Sequence, residues 1–162
     1  EAPEYVYLPF SMHIGAPAKP VVNVGEKVRL GQLVAAAQGF VSSNIHASVS
    51  GTVVRFEKRY LPSGGLSDCI VIKNDGLDTL TDNIGHCREP IAVTPENIRL
   101  LMLEKGVVGM GGAAFPTHVK YAPPKNGQAI DTVIINGIEC EPYITADHRI
   151  LLEYADKVVL GL

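Results

Sequence analysis

The feature that most constrains this 162-residue sequence is a change in the spacing of its apolar residues near position 94. Before that position, apolar and polar residues alternate in short runs, for example IHASVS at 45–50 and VRFE at 54–57. A period of two is typical of half-buried β-strands, and Gly, Pro, Ser and Asn separate the runs. We therefore predict a small closed or sandwiched antiparallel domain over residues 1–75.

Within this predicted β domain, the alternation places Val22 and Val24 on one face and a turn at Gly25. A last strand is predicted at Cys69–Lys73. The alternation is then lost, and residues 76–93 are interpreted as a linker.

After position 94 the apolar spacing becomes helical. Thr94 is a predicted N-cap, Pro95 takes the first helical position, and Gly106 ends the helix. Further on, we predict a strand at Asp131–Asn136, a helix at about 145–155 and a strand at Lys157–Leu160. This order is a βαβ unit with parallel strands and a right-handed crossover.

The predicted fold class is therefore α+β with two domains. A β domain is followed by the start of an α/β domain over residues 94–162. The last predicted strand has no helix after it, and the first residue is Glu1 rather than methionine. We therefore expect the sequence to be a segment of a longer protein.

Composition excludes several classes of function. Fourteen Lys and Arg against seventeen Asp and Glu leave a net charge of −3, so no basic surplus predicts a nucleic acid partner. The longest apolar runs, such as Leu33–Ala37, are too short to cross a bilayer. The three cysteines form no CxxC pair and the five histidines lack ligand spacing, so we predict no metal site in this chain. No nucleophile–base set is evident, and we predict no catalytic side chain.

A run of small residues, GMGGAAFPT at 109–117, is the strongest local motif. It matches the GxGxx[GA] pattern, but it follows a predicted helix rather than a strand, which disfavours an ordinary dinucleotide-binding fold. Small residues still allow backbone N–H groups to approach an anion or a flat ring. Pro116 can open a short helix with Lys120 one turn further on. The alternative is a plain turn between two elements.

A second motif, NGIECEP at 136–142, follows the predicted strand 131–136. Glu139 and Glu141 are two residues apart, so in an extended loop they point the same way. Carboxylates there can accept hydrogen bonds from ribose or ribityl hydroxyls. The alternative is a solvated acidic loop. If the motif at 109–112 and the motif at 136–141 converge, they form one wall of a cofactor cleft.

These segments resemble known families. VVNVGEKVRLGQLVAAA at 21–37, together with IHASVSGTV, resembles the barrel-sandwich hybrid domain of lipoyl and biotinyl carriers. VVGMGGAAFPTHVK and INGIECEPYITADHR resemble the C subunit of the Rnf electron transport complex, a distant relative of the NADH- and flavin-binding subunit of respiratory complex I. The resemblance extends over the chain from Leu8 onward.

The resemblance implies a flavoprotein that lies peripherally at the cytoplasmic face of the cell membrane. It implies bound FMN, electron exchange with NAD(H), and two [4Fe–4S] clusters in a downstream region absent from this sequence. The implied partners are ferredoxin and the other subunits of the complex, which couples ferredoxin:NAD⁺ electron transfer to ion pumping.

The resemblance also implies a set of cofactor-binding residues. The glycines would lie along the flavin and its phosphate, and the lysine would balance charge nearby. The phenylalanine would stack on the nicotinamide or adenine, and the polar residues of the second motif would contact flavin or nicotinamide. These residues are Gly109, Gly111, Gly112, Phe115, Lys120, Asn136, Glu139 and Glu141. Two positions depart from the complex I relative, which has arginine where Met110 stands and aspartate where Ile138 stands.

Other functions are also considered. Carrier domains attach their cofactor to a lysine at a hairpin tip, but the corresponding stretch here, Gln38–Asn44, has no lysine. A swinging-arm function is thereby excluded, and the β domain is interpreted as a docking or structural module. The remaining alternatives are a non-catalytic interaction module and a cobalamin reductase of propanediol-utilising microcompartments, which shares the same modules.

Overall fold

The computed structural model describes residues 2–62, 64–82, 84, 94–110, 112–124, 127–128 and 130–162. Gly111 and most of the predicted linker 76–93 lie outside the described residues. The chain divides into two compact units, residues 1–122 and residues 123–162. Each unit is described by itself below.

The first unit begins with short strands in two antiparallel sheets. One sheet has the order β1-β7-β6-β3 and the other the order β2-β4-β5. The strands are β1 (Tyr5–Pro9), β2 (Lys19–Pro20), β3 (Lys27–Val28), β4 (Leu33–Ala36), β5 (Ile45–His46), β6 (Gly51–Tyr60) and β7 (Leu66–Asn74). This confirms the prediction of an antiparallel β domain, and β7 includes the predicted strand Cys69–Lys73.

The core of the β domain contains small aliphatic side chains from both sheets. Val53 on β6, Ile70 and Ile72 on β7, and Val34 on β4 are fully buried in one cluster. Val22 also belongs to this cluster, but Val24 is 57% exposed, so the prediction that the two share one face is wrong. Val24 directly precedes Gly25, whose φ of +88° turns the chain, and the strand alternation does not continue through that bend.

A bulge in β6 decides which of its side chains face the core. Val53 pairs with Ile72, whereas Arg55 pairs with Val71, so the register shifts between them at Val54. The bulge keeps Val53 inside and turns Arg55 and the alternate residues after it to the outer face of the sheet.

The outer face of this sheet carries a connected charged and aromatic layer. Glu57 accepts hydrogen bonds from Arg55 and Arg59, at 2.6 and 2.5 Å. The guanidinium of Arg59 stacks over the ring of Tyr7 at 4.3 Å. The arginines lower the pKa of Glu57 through these hydrogen bonds.

On the neighbouring strand, Cys69 is fully buried, and burial raises the pKa of its thiol.

Helix α1 (Pro95–Glu104) follows within the first unit, and it confirms the predicted helix start. The side chain of Thr94 accepts a hydrogen bond from the backbone N of Asn97, and Pro95 is the first helical residue. Gly106 ends the helical segment with a φ of +66°. The predicted short helix after Pro116 is also confirmed, as α2 (Thr117–Lys120).

The second unit contains helices α3 (Ala146–Glu153) and α4 (Ala155–Gly161). Helix α3 confirms the predicted helix at about 145–155. The predicted strand Lys157–Leu160 is wrong, since these residues lie within α4, and residues 131–136 form no strand ladder. The predicted βαβ unit is therefore not formed by the described residues. A strand needs a neighbour for its N–H and C=O groups, and no described segment pairs with 131–136.

The described residues contain no helix with both the length and the apolar character that a membrane crossing requires. The domain boundaries predicted at 75/76 and 93/94 stay a proposal.

Candidate functional site

The small-residue motif forms a closed hairpin in the first unit. Val108 and Pro116 make an antiparallel bridge, and the backbone N of Gly109 donates to the carbonyl of Phe115 at 2.9 Å. The backbone N of Thr117 donates to the carbonyl of Val107 at 3.0 Å. These bonds fix the ends of the loop, which we call the glycine hairpin (residues 107–117).

Three of the predicted cofactor-binding residues meet at the base of the glycine hairpin. The Nζ atom of Lys120 lies 5.9 Å from the centre of the Phe115 ring. A Cβ atom added to Gly109 would lie 3.6 Å from the same Nζ atom and 3.7 Å from the carbonyl oxygen of Phe115. The absence of a side chain at Gly109 therefore leaves space beside the Lys120 ammonium and the Phe115 backbone.

The rest of the loop is open. Gly112 has a φ of +91° and nothing within 4 Å of the position of an added Cβ, so its backbone is accessible. Ala114 has a φ of +46°, a left-handed conformation that is unusual for a residue with a side chain. Strained backbone of this kind often occurs at ligand-binding loops. Gly111, another predicted site residue, lies outside the described residues.

Helix α2 holds Lys120 and is anchored by a residue whose importance the sequence did not reveal. His118 is buried, and its Nε2 atom lies 3.1 Å from the carbonyl oxygen of Phe40 in the β domain. The Nε atom of Arg99 on α1 donates to the backbone carbonyl of His118 at 3.3 Å. The available signal was the position of His118 in the motif, two residues before Lys120, but scattered histidines are usually surface residues.

A second histidine, His46 on β5, borders a cavity of about 450 Å³ beside the end of α1. Other residues that line it include Asn44, Glu104 and Lys105. Burial of the ring, and next the positive charge of Lys105, lower the pKa of His46 below its ordinary value of 6.5. The imidazole is therefore held in its neutral form more strongly than a solvated histidine.

The acidic motif lies in the second unit, where its polar side chains mainly organise the bend. The side chain of Asn136 accepts a hydrogen bond from the backbone N of Ile138 at 3.0 Å. Glu139 accepts from the backbone N of His148 at 3.1 Å, in the first turn of α3. One oxygen of Glu139 thus already satisfies a free helical N–H group. Glu141 is exposed.

The structure therefore brings Gly109, Phe115 and Lys120 together. It places Asn136 and Glu139 in a separate bend, and the convergence of the two motifs stays a prediction. Among the described residues, no group of three or more His, Cys, Asp and Glu side chains forms a candidate metal site.

Two family models match this chain. The RnfC barrel sandwich hybrid domain matches residues 1–77, and the Nuo51 FMN-binding domain matches residues 102–162. The second match includes the glycine hairpin and the acidic bend.

Curated relatives match almost the whole chain. The C subunit of the Na(+)-translocating ferredoxin:NAD(+) oxidoreductase complex of Acetobacterium woodii is 48% identical over 99% of this chain and 36% of that relative. The chain belongs to the RnfC family. The C subunit of the proton-translocating ferredoxin:NAD(+) oxidoreductase complex of Clostridium ljungdahlii is 46% identical over 99% of this chain and 35% of the relative. The C subunit of the ion-translocating oxidoreductase complex of Pseudomonas aeruginosa is 41% identical over 96% of this chain and 20% of the relative.

The family assignment confirms the resemblance to RnfC and the barrel-sandwich hybrid class of the β domain. The chain spans about a third or less of the length of these relatives.

Proposed function

We propose that this RnfC segment forms part of a flavoprotein that exchanges electrons between NAD(H), FMN and iron–sulfur clusters held elsewhere in the full-length protein. The proposal rests mainly on the match of an FMN-binding family model to residues 102–162. Within this range, Lys120 and Phe115 lie next to Gly109, which has no side chain. The microcompartment reductase is not favoured, because the relatives named above are subunits of ion-translocating oxidoreductase complexes.

The residues of the glycine hairpin fit FMN. A Cβ added to Gly109 would lie in van der Waals contact with the Nζ atom of Lys120, so the glycine leaves this space open to a ligand. An exposed ammonium group suits a phosphate, and the accessible backbone at Gly112 provides room for close approach. Phe115 offers a partly exposed aromatic face for stacking on nicotinamide or adenine.

When bound, FMN supplies the redox chemistry that links a two-electron donor to one-electron carriers. In this proposal Lys120 and the glycines hold the phosphate and flavin, Phe115 stacks on a ring, and Asn136, Glu139 and Glu141 accept hydrogen bonds from flavin or nicotinamide. Glu139 retains a second carboxylate oxygen for this purpose, since the hydrogen bond to the His148 amide uses Oε1. The protein contributes binding and orientation.

At the level of the assembly, we propose that RnfC lies peripherally at the cytoplasmic face of the membrane. Its partners would be the other Rnf subunits and, through the complex, ferredoxin. The names of the Acetobacterium woodii and Clostridium ljungdahlii relatives, which specify ferredoxin and NAD(+), support this assignment. Two [4Fe–4S] clusters are proposed for the region of RnfC outside this sequence.

The test uses the full-length protein. We expect it to bind FMN with visible flavin absorbance, and we expect Lys120→Gln to weaken FMN binding about 10- to 100-fold, the loss of one charge-assisted hydrogen bond. The matched control is Lys58→Gln, which removes a lysine that pairs with Asp68 on the β6–β7 hairpin. Absence of bound flavin from the folded full-length protein, or equal affinities for both variants, contradicts the proposal.

A further inference from the structure

The chain segments on both sides of the glycine hairpin contact one loop of the β domain. This loop connects β4 to β5, and we call it the barrel loop (residues 37–44). It occupies the stretch in which carrier domains present their modified lysine, but here it contacts α1 and α2.

The contact at the end of the glycine hairpin involves His118. A carbonyl oxygen can only accept, so the Nε2 atom of His118 carries the hydrogen that is donated to Phe40 at 3.1 Å. The Nδ1 atom is buried without a hydrogen-bond partner among the described residues. The ring is therefore held by its single bond to the barrel loop and by burial.

The contact at the start of the glycine hairpin involves Asn44. Its side-chain amide donates to the carbonyl of Glu104, the last residue of α1, at 3.3 Å. Two residues later, a Cβ atom added to Gly106 would lie 2.5 Å from the carbonyl oxygen of Asn44. The chain that enters the hairpin therefore passes directly over the barrel loop.

The barrel loop is itself held by hydrogen bonds. Asn44 accepts a hydrogen bond from the backbone N of Ala37 at 2.9 Å, which closes the loop. The hydroxyl of Ser42 accepts from the Gln38 backbone and donates to the carbonyl of Ala16, at 2.9 and 2.8 Å. A buried serine with these partners ties the loop to the β domain, so the loop can transmit a fixed position.

We propose that the barrel loop positions the cofactor-binding hairpin and that His118 is the positioning residue through which it acts on Lys120 and Phe115. The inference rests on the proposed FMN function. His118 does not contact the cofactor in this proposal. Together with the bond from Arg99 to the His118 carbonyl, its bond to Phe40 holds the single turn of α2. This turn positions the Lys120 ammonium relative to the Phe115 ring and Gly109.

The test compares two amide replacements of His118 in the full-length protein. In His118→Gln the side-chain nitrogen reaches about as far as Nε2 and can still donate to the Phe40 carbonyl. In His118→Asn the amide nitrogen ends near the position of Nδ1 and cannot reach it. We expect His118→Asn to weaken FMN binding about tenfold and shift the flavin midpoint potential, and His118→Gln to stay within about threefold of the wild type.

A second variant tests the other end of the hairpin. Asn44→Asp keeps an oxygen that accepts from Ala37 but removes the amide that donates to Glu104. We expect it to weaken FMN binding about three- to tenfold. Lys58→Gln on the β6–β7 hairpin is the control and should leave affinity and potential unchanged.

The outcomes are separable. A wild-type protein without FMN contradicts the proposed function itself. A second outcome is that the wild type binds FMN and that folded His118→Asn keeps the wild-type FMN affinity and flavin midpoint potential. This result overturns the positioning role, and a lower melting temperature would then show that His118 is only structural. If His118→Asn fails to fold by circular dichroism, Asn44→Asp decides: weaker FMN binding supports the inference, and wild-type affinity and potential overturn it.

Discussion

The two units of this chain differ in how they bury their apolar residues. In residues 1–122, a closed cluster between two sheets buries Val34, Val53 and Ile72 completely. In residues 123–162, no described residue is buried, and Ile134 is 85% exposed. Helices α3 and α4 have no buried side chains either.

The two motifs are therefore stabilised by different kinds of contact. The glycine hairpin is attached to a unit with a complete core, so its geometry is stabilised by long-range contacts. The acidic bend depends on local hydrogen bonds such as Glu139 to the His148 amide. We expect the first to be preorganised for a ligand and the second to depend on further cover for its apolar residues.

The largest expected difference is in the free energy of unfolding, when an isoleucine is replaced by alanine in each unit. Ile72→Ala should lower the free energy of unfolding by about 2–5 kcal/mol, because it leaves a cavity in a fully buried cluster. Ile134→Ala, the matched control at an exposed position, should change it by less than about 0.5 kcal/mol. Urea denaturation followed by circular dichroism measures both. Similar losses for the two variants would remove the contrast between the units.

A smaller change in the free energy of unfolding is expected when alanine replaces either of two glycines at which an added Cβ would be equally close to a neighbouring atom. A Cβ at Gly106 or at Gly137 would lie 2.5 Å from a neighbour, but the neighbour is a backbone carbonyl oxygen in the first case and the Cδ1 methyl of Leu151 in the second. Gly106 also has a φ of +66°. Gly106→Ala should cost about 1–3 kcal/mol and Gly137→Ala less than about 0.5 kcal/mol, since the methyl can rotate away. Thermal denaturation of both variants checks this, and equal melting temperatures would disagree with it.

Next in size is a pH dependence that belongs to the first unit. Because the folded state lowers the pKa of His46, the unfolded chain binds its proton more tightly. The stabilisation is complete above the ordinary value of 6.5 and decreases as the pH falls from there toward the folded pKa. His46→Gln should remove this part of the pH dependence.

The control for His46 is Lys105→Gln, which removes the second cause of the shift and leaves burial, the first, in place. We expect it to reduce the pH dependence without abolishing it. A proton NMR titration of the His46 ring follows the pKa directly, and a wild-type pKa at or above 6.5 would refute the interpretation.

The smallest effect concerns the exposed ion pairs. Glu57 accepts from two arginines, whereas Glu153 in the second unit pairs with one arginine among the described residues, Arg149, four residues away on α3. The lowered pKa of Glu57 means that its stabilisation is present above the unfolded pKa and lost as the pH falls through the folded pKa. We expect Glu57→Gln to lower the melting temperature more than Glu153→Gln, with the difference decreasing at high salt. A larger loss for Glu153→Gln would reverse the comparison.

Much of the fold could be predicted because its causes are local. Thr94 as N-cap and Pro95 at the first helical position are a local helix-start signal, and α1 begins there. The alternation in the first half predicted an antiparallel β domain, since one face of each strand must be buried. The strand predicted at Lys157–Leu160 failed because a short apolar run fits both a strand and a helix, and the choice depends on whether a neighbour can pair with it.

The candidate site was predicted only in part, for a related reason. The glycine-rich spacing identified the hairpin, and the meeting of Gly109, Phe115 and Lys120 follows from its closure. His118 was missed, because its role depends on a carbonyl group 78 residues earlier in the chain. No local pattern records such a contact.

The sequence alone determined the periodicities, the helix cap, the small-residue loop and the family resemblance, since each depends on residues close together in the chain. Two features required the tertiary structure: a bulge at Val54 turns Arg55 outward, and the barrel loop contacts residues on both sides of the glycine hairpin. These features arise where distant segments meet, and there packing and hydrogen-bond satisfaction select one arrangement among several that the local sequence permits.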